Sequence, residues 1–251
     1  MPFTGSHPAI ITPLLKSRIL SVSGLIMGSM VPDFEFFIRL EAEVIHGHSI
    51  LPMFWLNVPT AILTITLYHL IVRNQLILHL PPFFRSRFTP FLTFNWLVYL
   101  KLNYFKIIVS ILIGNISHLV WDSFTHKNGF FVELLPLMKY TYFQIPLFHI
   151  LQYAFSLFGA WAIIHFISKM KRFTVKTQTT KIEFSVYWLL VIVTTIALYF
   201  FRYDAADYST FTNRIVFLCA GFLLGLLISS SLFILNKPEN KVTKLTRNFL
   251  K

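Results

Sequence analysis

The sequence predicts an all-α, polytopic membrane helical bundle of about five transmembrane helices, preceded by an N-terminal helical hairpin that re-enters the membrane or lies at its interface. Three observations carry this reading. Of 251 residues, 55% are hydrophobic and 13% charged, against about 25% charged in an ordinary soluble domain, so charge is too scarce to cover a water-facing surface. The chain holds 28 Phe, 10 Tyr and 5 Trp, which suit a lipid-facing surface with aromatic belts at its interfaces. Five stretches approach the ~20 apolar residues that a span requires: residues 51–72, 104–121, 147–168, 184–201 and 215–235.

Taken in order, the first apolar segment, residues 19–31, has only 13 residues before Pro32 and Asp33, too few for a span. It reads as the second limb of a hairpin whose turn is residues 16–23. That places Lys16 and Arg18 partway into the membrane or the protein interior, where their long stems must snorkel or their charges must pair. After the first span, Pro81 and Pro82 mark a non-helical stretch, and residues 91–102 suit an interfacial helix. No internal repeat or low-complexity tract interrupts the rest.

Orientation follows from the basic loops, because cytoplasmic segments carry an excess of Lys and Arg. Residues 169–181 contain Lys169, Lys171, Arg172, Lys176 and Lys181 with no acid, and the tail from Asn236 contains Lys237, Lys241, Lys244, Arg247 and Lys251 against Glu239 alone. Two spans separate them, and the loop with Arg73, Arg85, Arg87 and Lys101 falls on the same side. The expected topology is therefore a multi-pass membrane protein with a cytoplasmic C-terminus, and residues 41–50, 122–146 and 202–214 outside. Four regions follow: a site-bearing membrane domain (1–168), a basic cytoplasmic loop (169–183), a helix pair (184–235) and a basic cytoplasmic tail (236–251).

The formal charge of +12 fits anionic lipid as a partner. Nucleic acid is not expected, because the basic residues sit between apolar stretches and form no stripe with exposed aromatics on a soluble module. The single cysteine, Cys219, excludes an intrachain disulfide and reads as a buried free thiol. Residues 1–8 lack the basic and apolar regions of a cleavable signal peptide.

Ionisable residues at the edge of membrane helices are expensive to desolvate and point to function. The second span ends in His118-Leu-Val-Trp-Asp122-Ser-Phe-Thr-His126. Residues four apart stack along one helical face, so His118, Asp122 and His126 can share a site if the helix continues through Ser123 and Thr125. Without thiolates, imidazole and carboxylate are the usual ligands of Zn, Mn or Fe. The further ligands available on the outer face are His46 and His48 before the first span and, if the hairpin folds back, His7 and Asp33. A divalent metal, Zn first and Mn or Fe as alternatives, is thus expected on His7, Asp33, His46, His48, His118, Asp122 and His126. The bland readings stand beside it: a His–Asp pair at a helix end can cap or hydrogen-bond, and H-x-H arises in loops by chance. His69 and His165 read as interfacial packing residues and His79 lies in an expected inner loop; His149 and Gln152 read as packing residues that could alternatively support the ligands.

The segments 1–8, Gly28-Ser-Met-Val-Pro-Asp-Phe-Glu-Phe-Phe37, His48-Ser49 and Ser117-His-Leu-Val-Trp-Asp-Ser-Phe-Thr-His126 resemble an uncharacterised bacterial membrane-protein family known only as a domain of unknown function. The likeness spans roughly the first 160 residues in motif order. More remotely, that family is similar to inner-membrane proteins labelled metal-dependent hydrolases and to the zinc-dependent phospholipase C group. The resemblance implies ligand roles for His7, Asp33, His48, His118, Asp122 and His126; His46 matches less well, and Glu35 follows the motif aspartate as a candidate base.

Three functions compete. The first is a membrane-embedded, metal-dependent hydrolase, phospholipase C-like, acting on a lipid-like or envelope ester or phosphoester at the membrane surface. Here the metal activates a water, and Asp33 or Glu35 accepts its proton. No G-x-S-x-G or P-loop offers another chemistry. The second is a transporter or metal-handling protein using the same cluster, for which a site near the bilayer midplane is expected. The third is a non-catalytic structural protein in which these residues only hydrogen-bond.

Overall fold

A computed structural model describes residues 3–43, 45–174, 179–201 and 211–236. The expected basic tail beyond Asn236, Lys176 and residues 202–210 of the expected outer loop lie outside the described residues. Among the described residues five helices are long and apolar enough to cross a membrane: Met53–Leu78, Trp96–Asp122, Leu147–Lys169, Lys181–Phe201 and Thr212–Leu235. Each contains most of an expected span, and several run further, because polar residues at their ends continue the backbone hydrogen bonding that an apolar count does not register.

In chain order the helices are α1 (Val22–Gly28), α2 (Phe34–Arg39), α3 (Met53–Leu78), α4 (Pro82–Phe88), α5 (Trp96–Asp122), α6 (Phe130–Leu134), α7 (Leu147–Lys169), α8 (Lys181–Phe201) and α9 (Phe211–Leu235). Two details depart from the sequence reading. Pro82 opens helix α4 instead of extending a non-helical stretch; at a helix start its missing N–H costs nothing and its fixed φ suits the first turn. Residues 96–102 join the second span as one helix, capped by the Asn95 side chain and bent at Asn103, whose φ and ψ are −132° and 24°.

By proximity the chain forms two compact units, one of Met1–Thr66, Asn95–Lys171 and Asp204–Phe217, the other of Leu67–Phe94, Arg172–Tyr203 and Leu218–Lys251. In the first unit, α1 lies along α5 in the same direction. Gly24 abuts Ile107 and Ser110, Gly28 abuts the Ile111 backbone, and Gly114 abuts Leu25 and Ser29. A Cβ at any of these glycines would collide with backbone or a short side chain, so the small-xxx-small spacing Gly24-Leu-Ile-Met-Gly28 lets the two backbones touch. Where the hairpin turns, the Lys106 ammonium donates to the Arg18 carbonyl (2.6 Å). Lys16 and Arg18 are exposed, so neither charge is buried. From Lys106 to His118 the helix rises about 18 Å, and residues 18–29 follow that length, well short of a ~30 Å hydrocarbon core. The segment Thr4–Ala9, a 3-10 turn, packs on α7, where Ser6 meets Gly159.

Two two-residue strands, β1 (Thr141–Tyr142) and β2 (Ile145–Pro146), pair antiparallel around Phe143 and Gln144, both at positive φ. In the second unit, α8 meets α9 through Gly221 against Thr195 and Gly225 against Val191. There Val72, Tyr187, Val191 and Leu226 form a core. Tyr187 hydrogen-bonds Ser230 (3.0 Å), and the Trp188 indole donates to the His79 carbonyl (2.8 Å).

Candidate metal centre

Four segments of the first unit bring ionisable side chains to the C-terminal end of α5. His118 and Asp122 lie one turn apart on α5. Asp33 ends the 3-10 turn Val31–Asp33 that opens α2, and His48 comes from the loop before α3. One ligand atom from each of Asp33, His48, His118 and Asp122 lies within 4.8 Å of all the others. The separations are more telling. His48 Nε2 is 3.1 Å from His118 Nε2 and 3.3 Å from both Asp33 Oδ1 and Asp122 Oδ2. His118 Nε2 is 3.6 Å from Asp33 Oδ1 and 3.1 Å from Asp122 Oδ2. Bonds of about 2.1 Å in tetrahedral arrangement put ligand atoms about 3.4 Å apart, so these five separations are compatible with a four-ligand metal site.

The imidazoles are held from behind. The Nδ1–H of His118 donates to the Ser29 carbonyl at the end of α1 (2.9 Å), which aims Nε2 at the cluster, the usual device for orienting a metal-binding imidazole. His7 does the same, its Nδ1–H donating to the Thr4 carbonyl (3.1 Å). The His48 loop is fixed through Glu35, whose carboxylate accepts from the backbone N–H groups of Ile45 (3.1 Å), His46 (3.0 Å) and Gly47 (2.8 Å). On the other side Asn57 donates to the Gly47 carbonyl (2.9 Å). Glu35 therefore has its oxygens committed to the loop. His46 faces Glu35 at 3.5 Å with a half-exposed side chain and stands outside the cluster.

His7 and His126 do join it. His7 Nε2 is 3.1 Å from Asp122 Oδ1, and His126 Nδ1 is 3.4 Å from the same oxygen. His126 gets there although α5 ends at Asp122: its backbone N–H still bonds the Asp122 carbonyl (3.0 Å), extending the turn by one residue set. Its other nitrogen meets the buried Gln152 amide of α7 (3.3 Å). Gln152 thus supports His126, while His149 stacks obliquely with Phe148 and Tyr153 away from these contacts.

Electrostatics match a cation site. Burial opposes the charged form of His48, yet the carboxylates of Asp122 and Asp33 hold its pKa up at about 10. His7 is raised too, its burial outweighed by the same two acids. Asp33, almost fully buried, would be pushed up by desolvation, but the His118, His48 and His7 imidazoles bring it down to about 2. His126 is lowered by burial. Protons thus stand where a cation would, and one oxygen, Asp33 Oδ2, is buried with no hydrogen-bond partner among the described residues. A buried carboxylate oxygen without a donor is costly, and a divalent ion relieves that cost. The residues present fit such an ion.

Hydropathy gave no signal for the groups that hold the ligands, Ser29, Asn57 and Glu35 as loop clamp, but the Gly24/Gly28 spacing was a readable sign that α1 packs tightly on a neighbour. An apolar cavity of about 170 Å³, lined by Val31, Phe34, Ile38, Trp55 and Leu56 with Glu35, Arg39 and His46, borders the His48 loop.

Fold and site together define a multi-span helical membrane protein with a buried His/Asp cluster able to bind a metal ion. The chain belongs to the family described as domain of unknown function (DUF4184), whose model matches residues 1–231 and so takes in α8 and most of α9 as well as the cluster. No curated protein and no solved structure matches it.

Proposed function

We propose that this protein is a membrane-embedded, zinc-dependent hydrolase that cleaves a lipid-like or envelope ester or phosphoester at the outer face of a bacterial inner membrane. The observation that carries the reading is the close set of Asp33, His48, His118 and Asp122, with Asp33 Oδ2 beside it lacking a hydrogen-bond partner among the described residues. A divalent ion held in this cluster would lower the pKa of a water at a position the protein ligands leave open and would polarise the scissile group. The chain's own residues do the rest. His118 and Asp33 are buried, whereas the side chains of His48 and His126 are 29% and 34% exposed, so substrate approaches on their side. Of the two carboxylates named as bases, Glu35 is committed to three N–H groups, whereas Asp33 keeps Oδ2, the oxygen outside the ligand set and without a partner among the described residues, as an acceptor, a weak one with its pKa at about 2. The apolar cleft lined by Val31, Phe34 and Trp55 suits a lipid tail.

Hydrolysis is favoured over translocation because the cluster sits at the last residue of α5 instead of between the halves of a broken span. The basic segments argue for a cytoplasmic C-terminus; reporter fusions after Lys176 and Asp207 should give cytoplasmic and external signals respectively. The deciding experiment is metal analysis of the full chain in detergent, followed by assay against phospholipids and lipid-linked esters in mixed micelles with and without chelator. Stoichiometric metal and chelator-sensitive cleavage are expected. Absence of bound metal, or metal-dependent ion flux in liposomes with no cleavage, overturns the reading.

A further inference from the structure

We propose that the cluster is a two-ion centre bridged by Asp122, with the second ion held by Asp122 Oδ1, His7 Nε2 and His126 Nδ1. The inference rests on the metal-binding reading above and adds the number of ions and the division of ligands between them.

The two oxygens of Asp122 face different partners. Oδ2 belongs to the four-ligand set, 3.1 Å from His118 and 3.3 Å from His48. Oδ1 faces away from that set, 3.1 Å from His7 and 3.4 Å from His126. One ion cannot use all of these atoms, since four protein ligands already complete the first position. His7 and His126 would then be spare, yet His7 is buried and oriented through its Nδ1–H as His118 is, and His126 has its remote nitrogen engaged by Gln152. Both rings are thus oriented from behind in the manner of ligands, and the His126 Nδ1 that faces Asp122 also lies 3.2 Å from Thr125 Oγ1, a contact an ion would replace.

The spacing agrees. His7 and His118 stack with ring centroids 4.1 Å apart and planes inclined by 16°, so their Nε2 atoms project side by side, each onto its own oxygen of one carboxylate. Ions bound in line with those rings would be separated by about the ring spacing, and paired catalytic ions lie about 3.5–4 Å apart. The two positions also differ in kind. The first has four protein ligands and is closed. The second has three, which leaves a position open as catalytic zinc sites require, and it lies beside His126, one of the two solvent-accessible imidazoles.

The test is titration of the full chain, stripped with chelator in detergent, with Zn²⁺ alone, and electron paramagnetic resonance of the Mn²⁺-loaded protein. Two ions per chain and a spin-coupled Mn²⁺ pair are expected in the unmodified protein. His126→Gln and His7→Gln should each reduce the count to one and abolish the coupling, with helical content unchanged. One ion per chain in the unmodified protein, or no spin coupling at two, overturns the proposal; so does retention of two ions in both variants. Because the spin coupling is read on the unmodified protein, misfolding of a variant leaves the test decisive. No bound ion at all also sinks the metal reading itself, whereas two coupled ions without any cleavage sink only the hydrolase.

Discussion

His7 and His118, 111 positions apart in the chain, stack at 4.1 Å and press their Nε2 atoms against opposite oxygens of Asp122. That contact depends on a 3-10 turn against α7, a seven-residue helix against α5 and the end of a membrane span all meeting at one level. The consequences can be measured at each part.

The first concerns pH. His48 is raised from 6.5 to about 10 in the fold, so in metal-free protein its charge contributes stability that is complete below about pH 6.5 and is lost as pH rises through 10. Asp33 is lowered from 3.8 to about 2, so its contribution is present above about pH 3.8 and is lost as pH falls through 2. Metal-free protein should therefore be most stable between about pH 4 and 6.5. Metal uptake displaces the His48 proton, so apparent affinity should rise with pH across the neutral range. Thermal unfolding from pH 4 to 10, with and without chelator, checks both; a pH-independent affinity would contradict the assignment of His48 as ligand.

Much of this was legible in the sequence because the determining pattern was local. Runs of apolar residues reveal spans, and His118 and Asp122 declare themselves by a four-residue spacing on one helix. That residues 19–31 are too short to cross was also local information, and it correctly implied that His7 and Asp33 return to the His118 end. What was not legible depends on contacts between distant segments. Nothing in the sequence distinguishes Glu35, which clamps residues 45–47, from a free base, and His46 from His48, two residues away on a loop whose direction Glu35 and Asn57 fix. The helix limits were blurred for another reason: Asn95 caps and Asn103 bends α5 at polar positions that hydropathy counts only as ends of a span.

Glu35 yields the second prediction. Its carboxylate satisfies three backbone donors and so sets where His48 lies; Glu35→Gln turns one acceptor oxygen into a donor facing those N–H groups. Metal affinity should fall about 10–100-fold, the usual effect of disturbing a group that supports a ligand. Competition against a chromophoric chelator measures this, with circular dichroism to confirm that the helices remain. A Glu35 that served only as catalytic base would instead abolish cleavage and leave affinity untouched.

A third prediction tests the α1–α5 contact. In Gly28→Val the new Cβ and methyls meet the Ile111 backbone, so the helices must separate, at a cost of about 1–3 kcal/mol or more. Separation also withdraws the Ser29 carbonyl from His118 Nδ1, so the melting temperature and metal affinity should fall together. Gly225→Val, which crowds the Val191 backbone in the second unit, should lower the melting temperature alone. Equal losses of affinity in the two variants would mean that the metal responds to general destabilisation and not to this contact.

Asp122 is the residue on which the other ligands converge, and Asp122→Asn is the most discriminating change available. The amide preserves shape and can still hydrogen-bond, so a purely structural role predicts a modest stability loss, about 1–3 kcal/mol for one buried partner left imperfectly satisfied. A ligand role predicts more. Metal affinity should drop by well over the 10–100-fold expected for a supporting group, and chelator-sensitive cleavage should vanish with it. The imidazoles report independently of metal: His7 and His48 owe their raised pKa in part to this carboxylate, so both should titrate at lower pH in metal-free Asp122→Asn. Nitrogen-detected NMR of labelled histidine follows them directly. If the titrations shift down while metal affinity stays within twofold, Asp122 is an electrostatic partner of the histidines and not a ligand.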